Sequence, residues 1–281
     1  MGVSSVLKGL NNFSFHGGLA DLDTLKGFGV ESFRQRLLRP NDSVADTDMG
    51  FGDGTPDEIK AIVNKFEASG LRTMYIATLP TLRYLPPASW AEILNEPNLG
   101  WSPERYAAYA RKAIAICRGR EIVPWCGSIA NLSKKDLNWL QHVLYLTPEI
   151  RNVAVHWYPD KQQRPRPKKG HATRTEEWDH LHRVLQGRPW AMTEFGFSSA
   201  GFRKGRWWWK KTGRITDIQQ RDLARHEFDL HDDHGAVASY LYQINDGPND
   251  ERLHRYGIKA YDGHDTKAYD GQWKPLAGAF R

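Results

Sequence analysis

The stretch Thr55-Pro56-Asp57-Glu58 to Gly70, followed by Leu71-Arg72-Thr73-Met74-Tyr75-Ile76-Ala77, contains one complete helix-then-strand unit. Thr55 and Glu58 form a capping box, and Pro56 sits at the first helical position, where its missing N–H costs nothing. Ile59, Ile62, Val63 and Phe66 recur at i, i+3, i+4 and i+7, which puts them on one face of a helix. Gly70 supplies the left-handed residue that ends it. Residues 71–77 then read as a β-strand.

The same unit recurs along the chain. Working outward, residues 32–37 and 90–94 read as strands, and Ser102-Pro103-Glu104 opens a long helix ending near Arg118-Gly119. Residues 121–125, 152–158, 190–195 and 237–244 read as further strands. Residues 134–146, 175–185 and 217–231 read as the helices between them. With a first strand near residues 10–15, the count is eight strands, each followed by a helix or long connection. Eight such units in roughly 250 residues predict an α/β fold, a (β/α)₈ or TIM barrel, as a single domain over residues 1–281. A doubly wound open sheet is the alternative; its Gly-rich first turn is absent here.

Composition narrows the function classes. Two cysteines, Cys117 and Cys126, exclude a disulfide scaffold or a four-cysteine zinc site, and read as buried free thiols. No apolar run approaches the roughly 18 residues of a membrane span. The first residues lack the basic segment and apolar core of a secretory signal, which leaves residence in the cell, a removed leader or another export route open. The net charge is +6, and the chain has 11 Trp. Residues 161–174 and 203–214 together carry twelve Lys and Arg with no acid, so the rest of the chain sums to −6. The protein is thus a mildly acidic body with two basic loops.

In such a barrel, reactive groups sit where the strands end, at the C-terminal face. Glu96 follows Ile93-Leu94-Asn95 and precedes Pro97 after the fourth strand; Glu194 lies in Met192-Thr193-Glu194-Phe195-Gly196 at the seventh. A carboxylate with such apolar flanks is either paired or has a shifted pKa. His231-Asp232-Asp233-His234 reads as a solvated helix end, and Asp42, Asp46, Asp48 and Asp53 do not match a calcium loop.

These two motifs carry a resemblance. Ile93-Leu94-Asn95-Glu96-Pro97-Asn98 resembles the Asn-Glu-Pro motif of clan A glycoside hydrolases, the retaining (β/α)₈ enzymes, and residues 192–196 resemble their second carboxylate motif. The chain looks family 5-like or family 39-like, and residues 255–276 resemble the closing segment of such enzymes. The resemblance implies that Glu96 is the general acid/base, Glu194 the nucleophile, and Asn95 a hydrogen-bond partner of the sugar 2-hydroxyl, with no metal or cofactor. It further implies an Arg at the end of the second strand beside the nucleophile, here Arg34, with Arg36 sharing its face. His156 and Tyr158 match a His-x-Tyr pattern at the end of the sixth strand, with the Tyr hydroxyl on the nucleophile. Many clan members place a Trp after the eighth strand as a platform for the sugar. Here Tyr240 or Tyr242, or one of Trp207, Trp208 and Trp209, is the candidate.

The expected activity is hydrolysis of β-glycosidic bonds in a poly- or oligosaccharide by a monomeric enzyme. A non-catalytic carbohydrate-binding barrel is the second reading. A nucleic-acid binder using the basic Trp-rich loops is the third and least favoured, since no nucleic-acid motif accompanies them. The basic loops themselves have two readings: an acidic glycan at the cleft mouth, or solubility alone.

Overall fold

The computed structural model describes residues 6–12, 22–40, 51–53, 55–158, 174–197, 216–242 and 275–280. Its strands are β1 (Leu7–Asn12), β2 (Ser32–Arg36), β3 (Leu38–Pro40), β4 (Phe51–Asp53), β5 (Arg72–Ala77), β6 (Trp90–Ile93), β7 (Val123–Ile129), β8 (Asn152–Trp157), β9 (Trp190–Phe195) and β10 (Ala238–Tyr242). The helices are α1 (Leu22–Gly27), α2 (Pro56–Ser69), α3 (Pro103–Gly119), α4 (Lys134–Leu146), α5 (Arg174–Leu185) and α6 (Asp217–Asp233). Eight strands close a parallel barrel in the order β1-β10-β9-β8-β7-β6-β5-β2. The expected (β/α)₈ barrel is therefore the observed fold. β6 and β9 are its fourth and seventh strands, as the residue pattern predicted.

Local chemistry accounts for the elements. Thr55 Oγ1 accepts from the Glu58 amide while Glu58 Oε2 accepts from the Thr55 amide, and Gly70 takes φ 70°. These contacts satisfy backbone groups that a helix end would otherwise leave unpaired. Thr216 and Gln219 make the same reciprocal pair at the start of α6, while Ser102 and Ser133 cap α3 and α4 by accepting from the amides of Arg105 and Asp136. The buried face of α2 is the predicted one, and its Phe66 ring meets Phe33 of β2 at 5.3 Å.

Three details differ from expectation. The first strand begins at Leu7, three residues early, and β7 runs on to Ile129. Residues 38–40 and 51–53 form a small antiparallel pair outside the barrel. The end of α6 is not wholly solvated: His231 is buried, its ring against Phe195 at 4.9 Å and its Nδ1 2.7 Å from Ser239 Oγ. The helix continues to Asp233, which turns His231 toward the barrel wall. Both cysteines are buried free thiols, and burial pushes each up to about 12. No helix among the described residues is long and apolar enough to cross a membrane.

Alternation along each strand builds two cores. Outward residues such as Phe33, Ile93, Val155 and Phe195 pack under the helices. Inward residues Met74, Trp125, Ala154, Ala191, Ala238 and Tyr240 fill the barrel, with Trp90 on Trp125 at 4.9 Å. Gly9 is required there, since a Cβ would fall 2.4 Å from Cδ1 of Tyr240. The barrel is a plugged core rather than a pore, so a ligand has access only to the layer above the plug, at the C-terminal mouth.

Candidate active site

Glu96 is held at the mouth by an unusual backbone. β6 ends at Ile93; Leu94 takes φ 63°, and Glu96 takes φ 48°, ψ 46°. Non-glycine residues in this left-handed region cost of order 1–3 kcal/mol each, so the surroundings must hold them there. The Leu94 side chain joins the outer core, and the Trp101 amide donates to Pro97 O. Asn98 ties the turn to its neighbour by donating to Asp136 Oδ1 and accepting from the Ala130 amide. The Glu96 side chain is 24% exposed, the most accessible acid of the site.

Glu194 reaches the same space through a slipped register. Ala191 faces the barrel interior, so strict alternation would turn Thr193 and Phe195 inward and Glu194 outward. Instead β9 takes one extra residue against both neighbours, between Met192 and Glu194 on the β8 side and between Met192 and Phe195 on the β10 side. Phe195 consequently packs in the outer core and Glu194 faces in. Such bulges commonly re-aim a side chain beside a site.

Beneath them lies a charge cluster centred on Arg34. Its Nη1 donates to Glu194 Oε1 at 2.5 Å, and its Nη2 donates to Asn95 Oδ1 at 2.6 Å. Its Nε and Nη2 also form a two-point pair with Glu92, the Nη2 bond being 2.7 Å. Glu92 further accepts from Ser128 Oγ, a residue held at φ 48° where β7 slips register against β8. Burial opposes the ionised form of Glu92, but the Arg34 guanidinium outweighs it and lowers the carboxyl to about 2. Burial alone would likewise weaken Arg34 as a base, yet Glu92 and Glu194 raise its pKa above the ordinary value.

His156 joins the two halves of the site. Its Nδ1 lies 3.1 Å from Glu96 Oε1 and 3.7 Å from Glu194 Oε2; its Nε2 lies 3.1 Å from Ser128 Oγ. Burial pulls its pKa down, but Glu194, Glu92 and Glu96 raise it to about 9, which favours the imidazolium form with a proton on each nitrogen. Arg34 Nη2 stands 3.3 Å from Nε2, a like-charge approach offset by the surrounding carboxylates. Tyr158 donates to Glu194 Oε2 at 2.5 Å. Burial would raise the Glu194 pKa, but His156, Arg34 and the Tyr158 hydroxyl hold it below the carboxylate range. One oxygen each of Glu96 and Glu194 and a His156 nitrogen lie within 4.8 Å of one another. That trio could chelate a divalent ion, although Arg34 and Tyr158 already engage both oxygens of Glu194.

The structure therefore brings together Arg34, Asn95, Glu96, His156, Tyr158 and Glu194. Tyr242 lines the same mouth, its ring edge-on to Tyr158 at 6.0 Å. Tyr240 does not; it lies within the barrel plug, its hydroxyl 2.9 Å from Ser32 Oγ. Arg36 is buried above Arg34, and burial lowers it to about 9 against the pull of Glu194. Trp207, Trp208, Trp209, the basic stretches and residues 255–274 lie outside the described residues, apart from the backbone of Arg174. Sequence reasoning missed Glu92 and Ser128. Glu92 was within reach: two residues after Trp90, it is a lone charge in an apolar strand, on the barrel-facing side.

No family model and no curated protein matches the chain. Its fold, however, is shared with solved glycoside hydrolases. The GH53 catalytic domain of Ignisphaera aggregans is 14% identical with a TM-score of 0.64, covering 100% of this chain and 96% of that one. Thermotoga maritima Cel5A, solved with cellobiose, is 14% identical with a TM-score of 0.62, covering 99% and 98%. A Sorangium cellulosum GH128 endo-beta-1,3-glucanase is 15% identical with a TM-score of 0.58, covering 97% and 96%. At these identities the likeness defines a class of fold: the (β/α)₈ barrel that these hydrolases use.

Proposed function

We propose that this chain is a retaining glycoside hydrolase that cleaves β-glycosidic bonds of a poly- or oligosaccharide, as one catalytic unit over residues 1–281. The observation that carries the reading is the separation of Glu96 and Glu194. One carboxylate oxygen of each lies within 4.8 Å of the other, at the ends of the fourth and seventh barrel strands. Retaining enzymes hold this pair about 5–5.5 Å apart, whereas inverting ones need about 6.5–9.5 Å to admit a water between them. The glucan-active neighbours of the same fold support a carbohydrate substrate.

In the proposed reaction Glu194 is the nucleophile. Arg34 and Tyr158 keep it ionised, and its oxygen attacks the anomeric carbon as Glu96 gives its proton to the departing glycosidic oxygen. The product is a glycosyl ester on Glu194. Glu96, now a carboxylate, takes a proton from a water whose oxygen attacks the same carbon, and the ester breaks to free Glu194. Asn95 Oδ1 is occupied by Arg34, so its Nδ2 is the end available to a sugar 2-hydroxyl. No step draws on a metal or cofactor.

The basic stretches at 161–174 and 203–214, which follow the sixth and seventh strands in the sequence, favour an acidic glycan, since cations near a cleft steer anions toward it.

The test is chemical rescue. Glu194→Ala should lose turnover and regain it with azide as an inverted glycosyl azide. Glu96→Ala should be rescued with retention on glycosides bearing good leaving groups. A Glu194→Ala enzyme that is fully active without added nucleophile would remove the assignment.

A further inference from the structure

One buried histidine lies outside the site yet touches the strand that carries Glu194. His231 stands in the last turn of α6 and is fully buried, as are its neighbours Ser239 on β10 and Phe195 on β9. Its Nδ1 is 2.7 Å from Ser239 Oγ, and its ring meets Phe195 edge-on at 4.9 Å. Phe228, one turn earlier on α6, also meets Phe195 edge-on, at 5.0 Å. Trp178 and Trp190 enclose the imidazole at 5.7 and 6.5 Å, and Glu227 Oε2 lies 3.8 Å from its Nε2. Ser239 sits between the inward residues Ala238 and Tyr240, so it faces the helix side of the barrel wall. A polar ring set this deep among aromatics costs stability where an apolar residue would pack, which raises the question of what its contacts achieve.

Those contacts bracket the slip in β9. On the β10 side Ser239 pairs with Met192 and Leu241 with Phe195, so Thr193 and Glu194 together stand opposite Tyr240. Ser239 is thus level with the last residue in register before the slip, and Phe195 is the first in register after it. On the β8 side Met192 pairs with Val155 and Glu194 with His156, which makes Thr193 the extra residue; its hydroxyl donates to Val155 O at 3.3 Å. In an unslipped strand Phe195 would turn into the polar mouth, and Glu194 would turn outward beneath α6, where Glu227 and the aromatic wall stand. A second carboxylate there would be desolvated beside a like charge. His231 favours the slipped register from both ends: it fastens Ser239, and it completes the edge-on slot that holds Phe195 outward. We propose that His231 is a positioning residue for the nucleophile: by holding Ser239 and Phe195 it fixes the extra residue in β9, and with it the inward aim of Glu194 at Arg34 and Tyr158. The effect on turnover rests on the glycosidase reading; the aim of Glu194 can be measured without a substrate.

The experiment compares His231→Leu, which removes both contacts, with His231→Asn, which leaves a polar atom where Nδ1 stands, and Ser239→Ala, which removes only the hydroxyl. Ile62→Ala, a truncation in the buried face of α2, is the control for lost stability. The Glu194 carboxyl is titrated by carbon-13 NMR in glutamate-labelled protein and assigned by its loss in Glu194→Gln. Turnover is measured well below each thermal midpoint on 2,4-dinitrophenyl β-glucoside, β-galactoside, β-mannoside and β-xyloside. A Glu194 tilted away from Arg34, Tyr158 and His156 loses the contacts that favour its ionised form, so in His231→Leu it should titrate roughly 1 pH unit higher than in the wild type. There kcat should fall roughly 10- to 100-fold, the cost of misplacing a reacting group, with KM changed by less than about threefold. His231→Asn and Ser239→Ala should lie between, and they carry the test if His231→Leu does not fold. Ile62→Ala should lower the thermal midpoint and leave the Glu194 titration unmoved. An unmoved titration in the His231 and Ser239 variants, with kcat within about twofold of wild type, would make His231 a packing residue and overturn the proposal. A wild-type enzyme that cleaves none of the four glycosides and no glucan would remove the glycosidase reading, while the Glu194 titration would still decide whether His231 aims that carboxyl.

Discussion

Replacing Glu92 with Gln tests the electrostatic core of the site. The buried charges around it are Arg34 and His156 on one side and Glu92 and Glu194 on the other, with side chains between 0% and 6% exposed. These four sum to zero, and Arg36, buried beside Glu194, adds a third cation. Glu92→Gln keeps the shape but leaves a net positive charge where water cannot screen it. Truncating one partner of a buried pair costs about 3–5 kcal/mol; the retained carbonyl of Gln, and the pairing of Arg34 with Glu194 and Asn95, place this change near 3. The added positive charge favours release of a proton, and His156, whose Nε2 lies 3.7 Å from Glu92, is the group that feels it directly. Its pKa should fall from about 9 toward or below the ordinary histidine range. Urea unfolding followed by Trp fluorescence measures the first effect. Nitrogen-15 titration of the His156 ring, assigned by its loss in His156→Asn, measures the second. A variant within about 0.5 kcal/mol of wild type, the size of an ordinary surface change, with His156 still titrating near 9, would refute the charge balance argued here.

Other consequences follow from the same geometry. Tyr158→Phe removes a hydrogen bond to an ionised oxygen of Glu194 and should cost roughly 10- to 100-fold in kcat/KM. Without that bond the Glu194 pKa rises, so the acidic limb of the kcat/KM profile should move to higher pH; an unmoved limb would assign the tyrosine to packing alone. Stability should be greatest between about pH 4.5 and 6.5. Glu92, lowered to about 2, stabilises above its ordinary 4.5 and loses that contribution as pH falls through 2. His156, raised to about 9, stabilises below its ordinary 6.5 and loses that contribution as pH rises through 9. Unfolding free energy measured across this range would contradict the assignment if it climbed steadily toward pH 9. An acidic glycan should be cleaved faster than its neutral counterpart at about 20 mM salt and lose that advantage at about 300 mM, where screening is strong. Replacing Lys168, Lys169, Lys210 and Lys211 with Ser should mimic the high salt, and a salt-independent preference for the neutral glycan would eliminate the acidic substrate.

The barrel was legible because strands and helices carry different periods, and each capping signal marked a boundary. The candidate site was legible where simple alternation holds, as for Arg34, and for His156 and Tyr158, which share a face at and just past the end of β8. It was less legible where the backbone breaks alternation. The inward aim of Glu194 depends on the extra residue in β9, and that of Ser128 on a left-handed residue in β7. Neither deviation has a signature such as glycine at the residue itself. Glu96 likewise takes a conformation that the following Pro97 gives no reason to expect. Glu92 shows a different limit: its position in β6 could be read, but the need for a second acid against Arg34 emerges only once both are seen buried together.

The most direct test of the proposed function is the anomeric form of the first product, read by proton NMR within the first turnovers on any glycan the enzyme cleaves. With one oxygen of each carboxylate within 4.8 Å of the other, the proposed double displacement requires the β-anomer to appear first and the α-anomer only later by mutarotation. Initial release of the α-anomer would mean single-step inversion, and would contradict the assignment of Glu194 as nucleophile.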